Sequence, residues 1–326
     1  MTGSIWRKID LHVHVPNTIH ANEYKCERNS IENPRGVWKV DDDTYAKFFR
    51  LLHQSGVEIV GLVDYFEIET IYDAIDWYEA NYQEKFNNLG DKLYLIPNLE
   101  IRMDRTVNRS QEIVDGHIIL NPEKVDRKSA QRLLAELKTE TTDQYKRRLS
   151  VADLNKTSKN SASLSLDSLR GGLDTTFGVV DAGSSYRVLF PLNGNGIRSN
   201  TERAHADKSR RDILSDEYEK YCDGVFGDAK STGHFLRPDR WESGEVSPAK
   251  PVFSGSDAHS WESLENRVGK TVAHGELGEG SAASNTCWIK AEKSFDGFLQ
   301  CFIDPAQRVR IQKNNPDAKR PDQVIV

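Results

Sequence analysis

The chain has 326 residues, of which 37% are hydrophobic and 29% charged, and carries a formal net charge of −6. That length fills one large core, as single-domain α/β barrels do, and the negative balance excludes a surface coated in positive charge for unspecific grip on nucleic acid. Four scattered cysteines (Cys26, Cys222, Cys287, Cys301) without a CxxC pair exclude a disulfide framework or zinc ribbon; no apolar run approaches a membrane span or signal-peptide core, so a soluble, cytoplasmic protein is expected.

Strand-like and helix-like segments alternate along the chain, the rhythm of parallel α/β architecture. The first strand carries Ile9, Leu11 and Val13 and presents His12 and His14, which point to the same side because side chains two apart do. Asp10 is placed to accept a ring N–H and orient an imidazole. Residues 15 to 40, with Pro16, Pro34 and Gly36, read as a long loop. Asp41 and Asp42 then cap a helix whose buried face is Tyr45, Phe48, Phe49 and Leu52 and which stops at Gly56.

A buried strand at 58–63 delivers Asp64 at its tip, and a helix over 69–86 follows with Ile71, Ile75, Tyr78 and Tyr82 on one face. The third strand, 93–99, places Glu100 at its end; the fourth, 117–120, begins with His117 rather than ending on it. Residues 122–150 look helical and charged, with the basic groups 146–148 and 208–211 reading as solvated helix faces. From 155 to 176 a Ser-, Lys-, Asn- and Gly-rich stretch reads as a flexible insertion. Strands resume at 186–192 and 224–227, separated by a helix over 206–221, and a last one at 252–254 runs into Gly255-Ser256-Asp257-Ala258-His259. An amphipathic helix (Phe295, Phe298, Leu299, Phe302) closes the pattern, and disorder is expected past residue 312.

His12, His14, Asp64, Glu100, His117, Asp257 and His259 all fall at or near strand ends. In a parallel barrel those ends open on one face, so residues far apart in sequence converge there. Imidazole and carboxylate donors without thiolate select manganese, zinc or iron over magnesium, and seven candidates exceed one tetrahedral ion, so two or three divalent ions are expected. Arg102, Arg105 and Arg198 fall in loops after strands, where each could grip a substrate phosphate.

The order DLHVH, an Asp after a GLV strand, an isolated Glu, an isolated His and a late SDAH resembles the polymerase-and-histidinol-phosphatase (PHP) family of metal-dependent phosphoesterases over about residues 5 to 275. The resemblance implies a distorted (β/α)7 TIM-like barrel over 1–275 with a multinuclear site on His12, His14, Glu100, His117, Asp257 and His259. His20, eight residues after His12, stands where many members have a further ligand. It also implies Glu100 bridging two ions, with Asp64 and His259 serving a third ion or acting with Glu100 in acid/base catalysis. Two departures matter: Asp64-Tyr65 replaces the family's Asp-His, and Asn193 stands where a His usually follows the strand. Two ions are therefore better supported than three.

The 276–326 extension, with Cys287-Trp288-Ile289-Lys290-Ala291-Glu292 and Arg308-Val309-Arg310-Ile311, is similar to the segment after PHP domains fused to SMC-like or AAA-type ATPases in bacterial genome defence. No Walker A pattern occurs, so the ATPase would be a separate partner or a further part of a longer protein. Three function classes follow: a nuclease cutting phosphodiester bonds of DNA or RNA, a phosphatase for small monoesters, and a degenerate barrel that binds an ATPase or nucleic acid. The retained Asp-x-His pair argues for a working site and separates the chain from amidohydrolase barrels, which end on a lone Asp.

Overall fold

The computed structural model describes residues 4–18, 23–24, 40–106, 113–192, 196–197, 210–270 and 286–318. His20, Asn193 and Arg198 lie outside these residues. In chain order the elements are β1 (Trp6–His14), α1 (Asp42–Ser55), β2 (Ile59–Tyr65), α2 (Glu69–Lys85), β3 (Tyr94–Arg102), β4 (Asp115–Leu120), α3 (Arg127–Glu136), β5 (Lys138–Thr142) and β6 (Arg148–Ser150). Then come α4 (Lys156–Lys159), α5 (Leu166–Ser185), β7 (Tyr186–Pro191), α6 (Arg210–Tyr221), β8 (Gly224–Phe226), α7 (Ala229–Phe235), β9 (Val252–Phe253), α8 (Trp261–Asn266), β10 (Thr286–Lys290), α9 (Phe295–Ile303), α10 (Pro305–Arg308) and β11 (Val309–Gln312).

Seven strands curl in the order β1-β2-β3-β4-β7-β8-β9, and a parallel bridge between Val13 and Ala258 joins the segment after β9 back to β1. The result is the α/β, (β/α)7-like barrel expected. Its central strands are apolar on both faces, as β2 shows with every residue from Ile59 to Asp64 buried, because barrel interior and helices cover them from both sides. Helix α1 follows its sequence pattern: the Asp41 carboxylate accepts from Thr44 N, Tyr45, Phe48, Phe49 and Leu52 are buried, and Gly56 ends the helix at φ 73°. No helix among the described residues is long and apolar enough to cross a membrane.

Strand direction corrects the sequence reading at one place. β4 pairs antiparallel with both β3 and β7, whereas β1-β2-β3 and β7-β8-β9 are parallel. Reversal carries the start of β4 to the face where the other strands end, which is why His117 precedes its apolar run yet sits opposite Glu100. A second correction concerns 155–176. Asn155 and Ser165 cap α4 and α5, and Leu164, Leu169 and Leu173 are buried, so a polar stretch folds because its few apolar residues meet the core. A third concerns 138–150, which is not helical: β5 and β6 form a hairpin, and Lys146 lies in its turn at φ 60°.

The extension continues the sheet. β10 pairs antiparallel with the first half of β1 and β11 with β10, while Phe298 and Phe302 of α9 pack on Phe253 of β9.

Candidate metal centre

The site begins with a defect in β1. Pairing with β2 slips between Asp10 and Val13, a bulge that re-aims the side chains around it. The displaced carbonyl of Leu11 leaves no room for a side chain at position 61, which glycine satisfies, and it accepts instead from Asn98 Nδ2 at 2.8 Å. The seam on the other side is equally tight: a Cβ at Gly255 would collide with His12 Cβ. Asp10 locks this seam. Its buried carboxylate accepts from the backbone N–H groups of His12, Ser256 and Gly269 at 3.0–3.1 Å, so it is a backbone staple and not the ring orienter expected from sequence.

Beyond the seam Asp257 adopts a left-handed backbone (φ 49°), uncommon for a side-chain-bearing residue though more open to Asp than to most. Its Oδ1 lies 3.3 Å from Nε2 of both His12 and His14. Glu100 Oε2 stands 3.4 Å from the same two nitrogens, which are themselves 3.1 Å apart. Nitrogens and oxygens sharing an ion through bonds of about 2.0–2.2 Å at tetrahedral angles are about 3.3–3.6 Å apart, whereas charge-assisted hydrogen bonds close to about 2.7–2.9 Å. Most of these separations match the first case.

Ligand atoms of His12, His14 and Asp257 form one group within 4.8 Å of one another, and those of His12, Glu100 and His117 form another. Nε2 of His12 has one lone pair and serves one ion, so His12, His14, Asp257 and Glu100 read as one nest with His117 beside it. Among the described residues Glu100 Oε2, His117 Nε2 and His259 Nδ1 are buried without a hydrogen-bond partner. Buried polar atoms left this way are costly, and a cation answers the cost. The donor set therefore fits manganese, zinc or iron.

Asn98, unnoticed in the sequence, sets one ring. Its Oδ1 lies 3.1 Å from His117 Nδ1, which fixes the proton there and leaves the Nε2 lone pair toward the nest. Its position two residues before Glu100, on the same face of β3, was the available signal. Phe226 was also missed; it packs edge-on against His117 and at 5.7 Å from His12, an apolar floor that removes water. His259 reaches the rim, with its ring 5.9 Å from that of His14 and Nδ1 3.9 Å from Asp257 Oδ1.

Asp64 does not join the nest, contrary to expectation. Thr18 Oγ1 and Thr70 Oγ1 each donate to it at 2.6 Å and Tyr65 N at 2.7 Å, so it braces the loop after β1 against the start of α2. Burial pushes its pKa up to about 6 although the hydroxyls oppose this. Arg105 is exposed beside Asp104 and makes no contact with the nest among the described residues, whereas Arg102 stacks on Tyr65, which stacks on His14. His53, read as a helix-face histidine, meets the Tyr78 hydroxyl at 2.9 Å.

Burial and charge pull the site's protons apart. Burial alone would lower His12, but Asp257 and Glu100 outweigh it and push its pKa up to about 9. At His14 burial prevails and the pKa falls to about 4; at His117 burial, then His12 and His14, drive it well below the ordinary value. Burial raises Glu100 to about 7 against the pull of His12. At Asp257 burial works upward, yet His12, His14 and His259 hold its carboxyl well below the usual range.

A proton on His12 thus occupies the place a cation would take. His12 has a raised pKa, so its stabilisation of the metal-free protein is complete below about pH 6.5 and is lost as pH rises through about 9. Metal binding must displace that proton. The rise in Tm on adding Mn²⁺ is expected to grow between pH 6.5 and 8.5, measured by thermal unfolding with and without the ion; a rise that is flat or shrinks over this window refutes His12 as a ligand.

No family model and no curated protein matches the chain. Among solved structures, it is similar to a protein from Bifidobacterium adolescentis described as a metal-dependent phosphoesterase, at 11% identity and a TM-score of 0.35, covering 78% of this chain and 88% of that one. At that TM-score the overlap is too loose to assign family or function.

Proposed function

We propose that the chain is a metal-dependent phosphoesterase of the PHP type that hydrolyses phosphodiester bonds, a nuclease on DNA or RNA. The observation that carries this is the convergence of His12, His14, Glu100, His117 and Asp257, with unsatisfied ligand atoms, at the mouth of one barrel. His12, His14, Asp257 and Glu100 would hold one divalent ion, and Glu100 with His117 a second. Such ions supply Lewis acidity: they neutralise phosphoryl oxygens and lower the pKa of water from about 16 toward 7.

The chain's own groups do the rest. Glu100 and Asp257 set the negative charge that retains the cations, Asn98 fixes the His117 tautomer, and Phe226 excludes water from the floor. His259, a quarter exposed at the rim with Nδ1 3.9 Å from Asp257 Oδ1, is placed to give a proton from its ring to the leaving oxygen. A singly charged diester suits the mouth better than a doubly charged monoester, because among the described residues Arg102 is the guanidinium stacked beside the nest. An ATPase partner, separate or fused, and a defence role are part of the proposal on the resemblance of the 276–326 segment alone, and a cytoplasmic setting on the scattered, unpaired cysteines.

The test is to strip the protein of metal, reload it with Mn²⁺ or Zn²⁺, and assay labelled DNA, labelled RNA and chromogenic phosphodiester and phosphomonoester substrates. Chelator-sensitive cleavage of a diester is expected. Turnover of the monoester alone transfers the site to phosphatase chemistry, and no turnover with either ion refutes the enzyme.

A further inference from the structure

Resting on the phosphoesterase reading, we propose that Arg102 and Tyr65 form the subsite that grips the substrate's phosphoryl oxygens, with the 156–164 segment holding the arginine in place. The Tyr65 ring stacks on His14 with centroids 4.9 Å apart and planes 26° apart. The Arg102 guanidinium lies over the same tyrosine at 5.5 Å, inside cation–π range. The two spans together keep this cation within about 10 Å of the His14 ring. Tyr65 therefore acts as a spacer of one ring's thickness.

Arg102 is loosely engaged: it forms an ion pair with Asp115, whose Oδ1 is 3.8 Å from Nε and beyond hydrogen-bond range, and its Nη1 donates to the Asn160 carbonyl at 3.3 Å. Most of its five N–H donors are unspent among the described residues, and the side chain is about a quarter exposed. Other arginines in the barrel differ. Arg127 is shared among Glu69, Asp73 and Asp76, and Arg240 is sealed against Glu219. The backbone around Arg102 is pinned from outside the barrel: Leu164 N donates to Arg102 O, Asp104 N to Leu164 O, and Met103 bridges Leu164. The insertion thus builds one wall of the mouth and fixes a planar, forked donor that matches a phosphate edge.

The test reads phosphate binding as well as turnover. Inorganic phosphate is titrated into Mn²⁺-loaded wild type and Arg102→Gln, Arg102→Lys, Tyr65→Phe, Tyr65→Ala and Arg105→Gln variants by calorimetry, with metal content measured on each. The expected result is a 10- to 100-fold loss of phosphate affinity in Arg102→Gln at unchanged metal content, a partial loss in Arg102→Lys, and no change in Arg105→Gln. Tyr65→Phe keeps the spacer and the affinity; Tyr65→Ala loses both. On a chromogenic diester the Arg102→Gln loss is expected mainly in KM. Wild type that does not bind phosphate, or Arg102→Gln that binds it as wild type does, overturns the subsite. A wild type that cleaves diesters while Arg102→Gln keeps its kcat/KM leaves the enzyme and removes the subsite. Phosphate held through Arg102 without turnover of any ester leaves the subsite and removes the enzyme.

Discussion

Asp257→Asn is expected to abolish metal-dependent turnover, by on the order of 10³-fold or more, while the metal-free protein stays folded. The substitution keeps the shape of the side chain and removes the charge facing His12 and His14 at 3.3 Å. Two changes follow from that one loss. The ion loses a carboxylate ligand, and His12 loses one of the carboxylates that raise its pKa, so its proton no longer competes as strongly for the same place. The first change dominates because a neutral amide oxygen is a much weaker ligand than a carboxylate.

A ligand at 100 times its Kd stabilises by about 2.7 kcal/mol, and a 100-fold loss of affinity leaves about 0.4 kcal/mol. Metal-induced stabilisation should therefore nearly vanish in Asp257→Asn and in His14→Ala, read by thermal unfolding with Mn²⁺ alongside bound metal by elemental analysis. Asp64→Asn supplies the contrast. Because Asp64 is occupied by Thr18, Thr70 and the Tyr65 amide, its loss should leave metal content unchanged. If Asp64→Asn strips the ion and Asp257→Asn does not, the nest is assigned to the wrong carboxylate.

How much of this was legible in the sequence follows from which interactions are local. His12 and His14 are two apart on a strand, and Asp257 and His259 two apart just past one, so the convergence of strand ends in a parallel barrel placed both pairs near the same mouth, although Asp257 sits beyond β9 with a left-handed backbone. Glu100 was legible as a charge at a strand tip. The reversal of β4 was not, since a run of apolar residues has no direction; only its pairing with β3 and β7 reveals why His117 comes first. The roles of Asp10 and Asp64 were misassigned for a related reason. A carboxylate at a strand end serves equally well as a metal ligand or as an acceptor for backbone and hydroxyl donors, and the donors that decide, Ser256, Gly269, Thr18 and Thr70, are distant or unremarkable in sequence. The 155–176 stretch looked loose because its composition is polar, but caps and three leucines suffice when the surface they meet already exists.

That stretch also carries Lys159, the origin of the second large effect. Its ammonium donates to Glu67 Oε2 at 2.6 Å, and both side chains are fully buried. Glu67 Oε1 meanwhile accepts from Ile68 N and Glu69 N at the start of α2, so the pair ties the insertion to the loop after β2. Lys159→Met fills most of the volume and takes the Lys159 ammonium away from the buried Glu67 carboxylate; breaking such a buried pair costs about 3–5 kcal/mol. The double variant Lys159→Met, Glu67→Gln removes both charges and should recover a large part of that loss, giving a coupling well above the scatter of independent sites in a denaturation cycle.

The consequence reaches the mouth of the barrel, because Asn160, the next residue, accepts from Arg102, and Leu164 pairs with the end of β3. Conditions in which Lys159→Met remains folded should therefore show weaker phosphate binding with metal content intact. A cost below about 1 kcal/mol for the single variant, within the range of exposed ion pairs, would mean that water reaches Glu67 and that the insertion is not locked to the barrel by this pair.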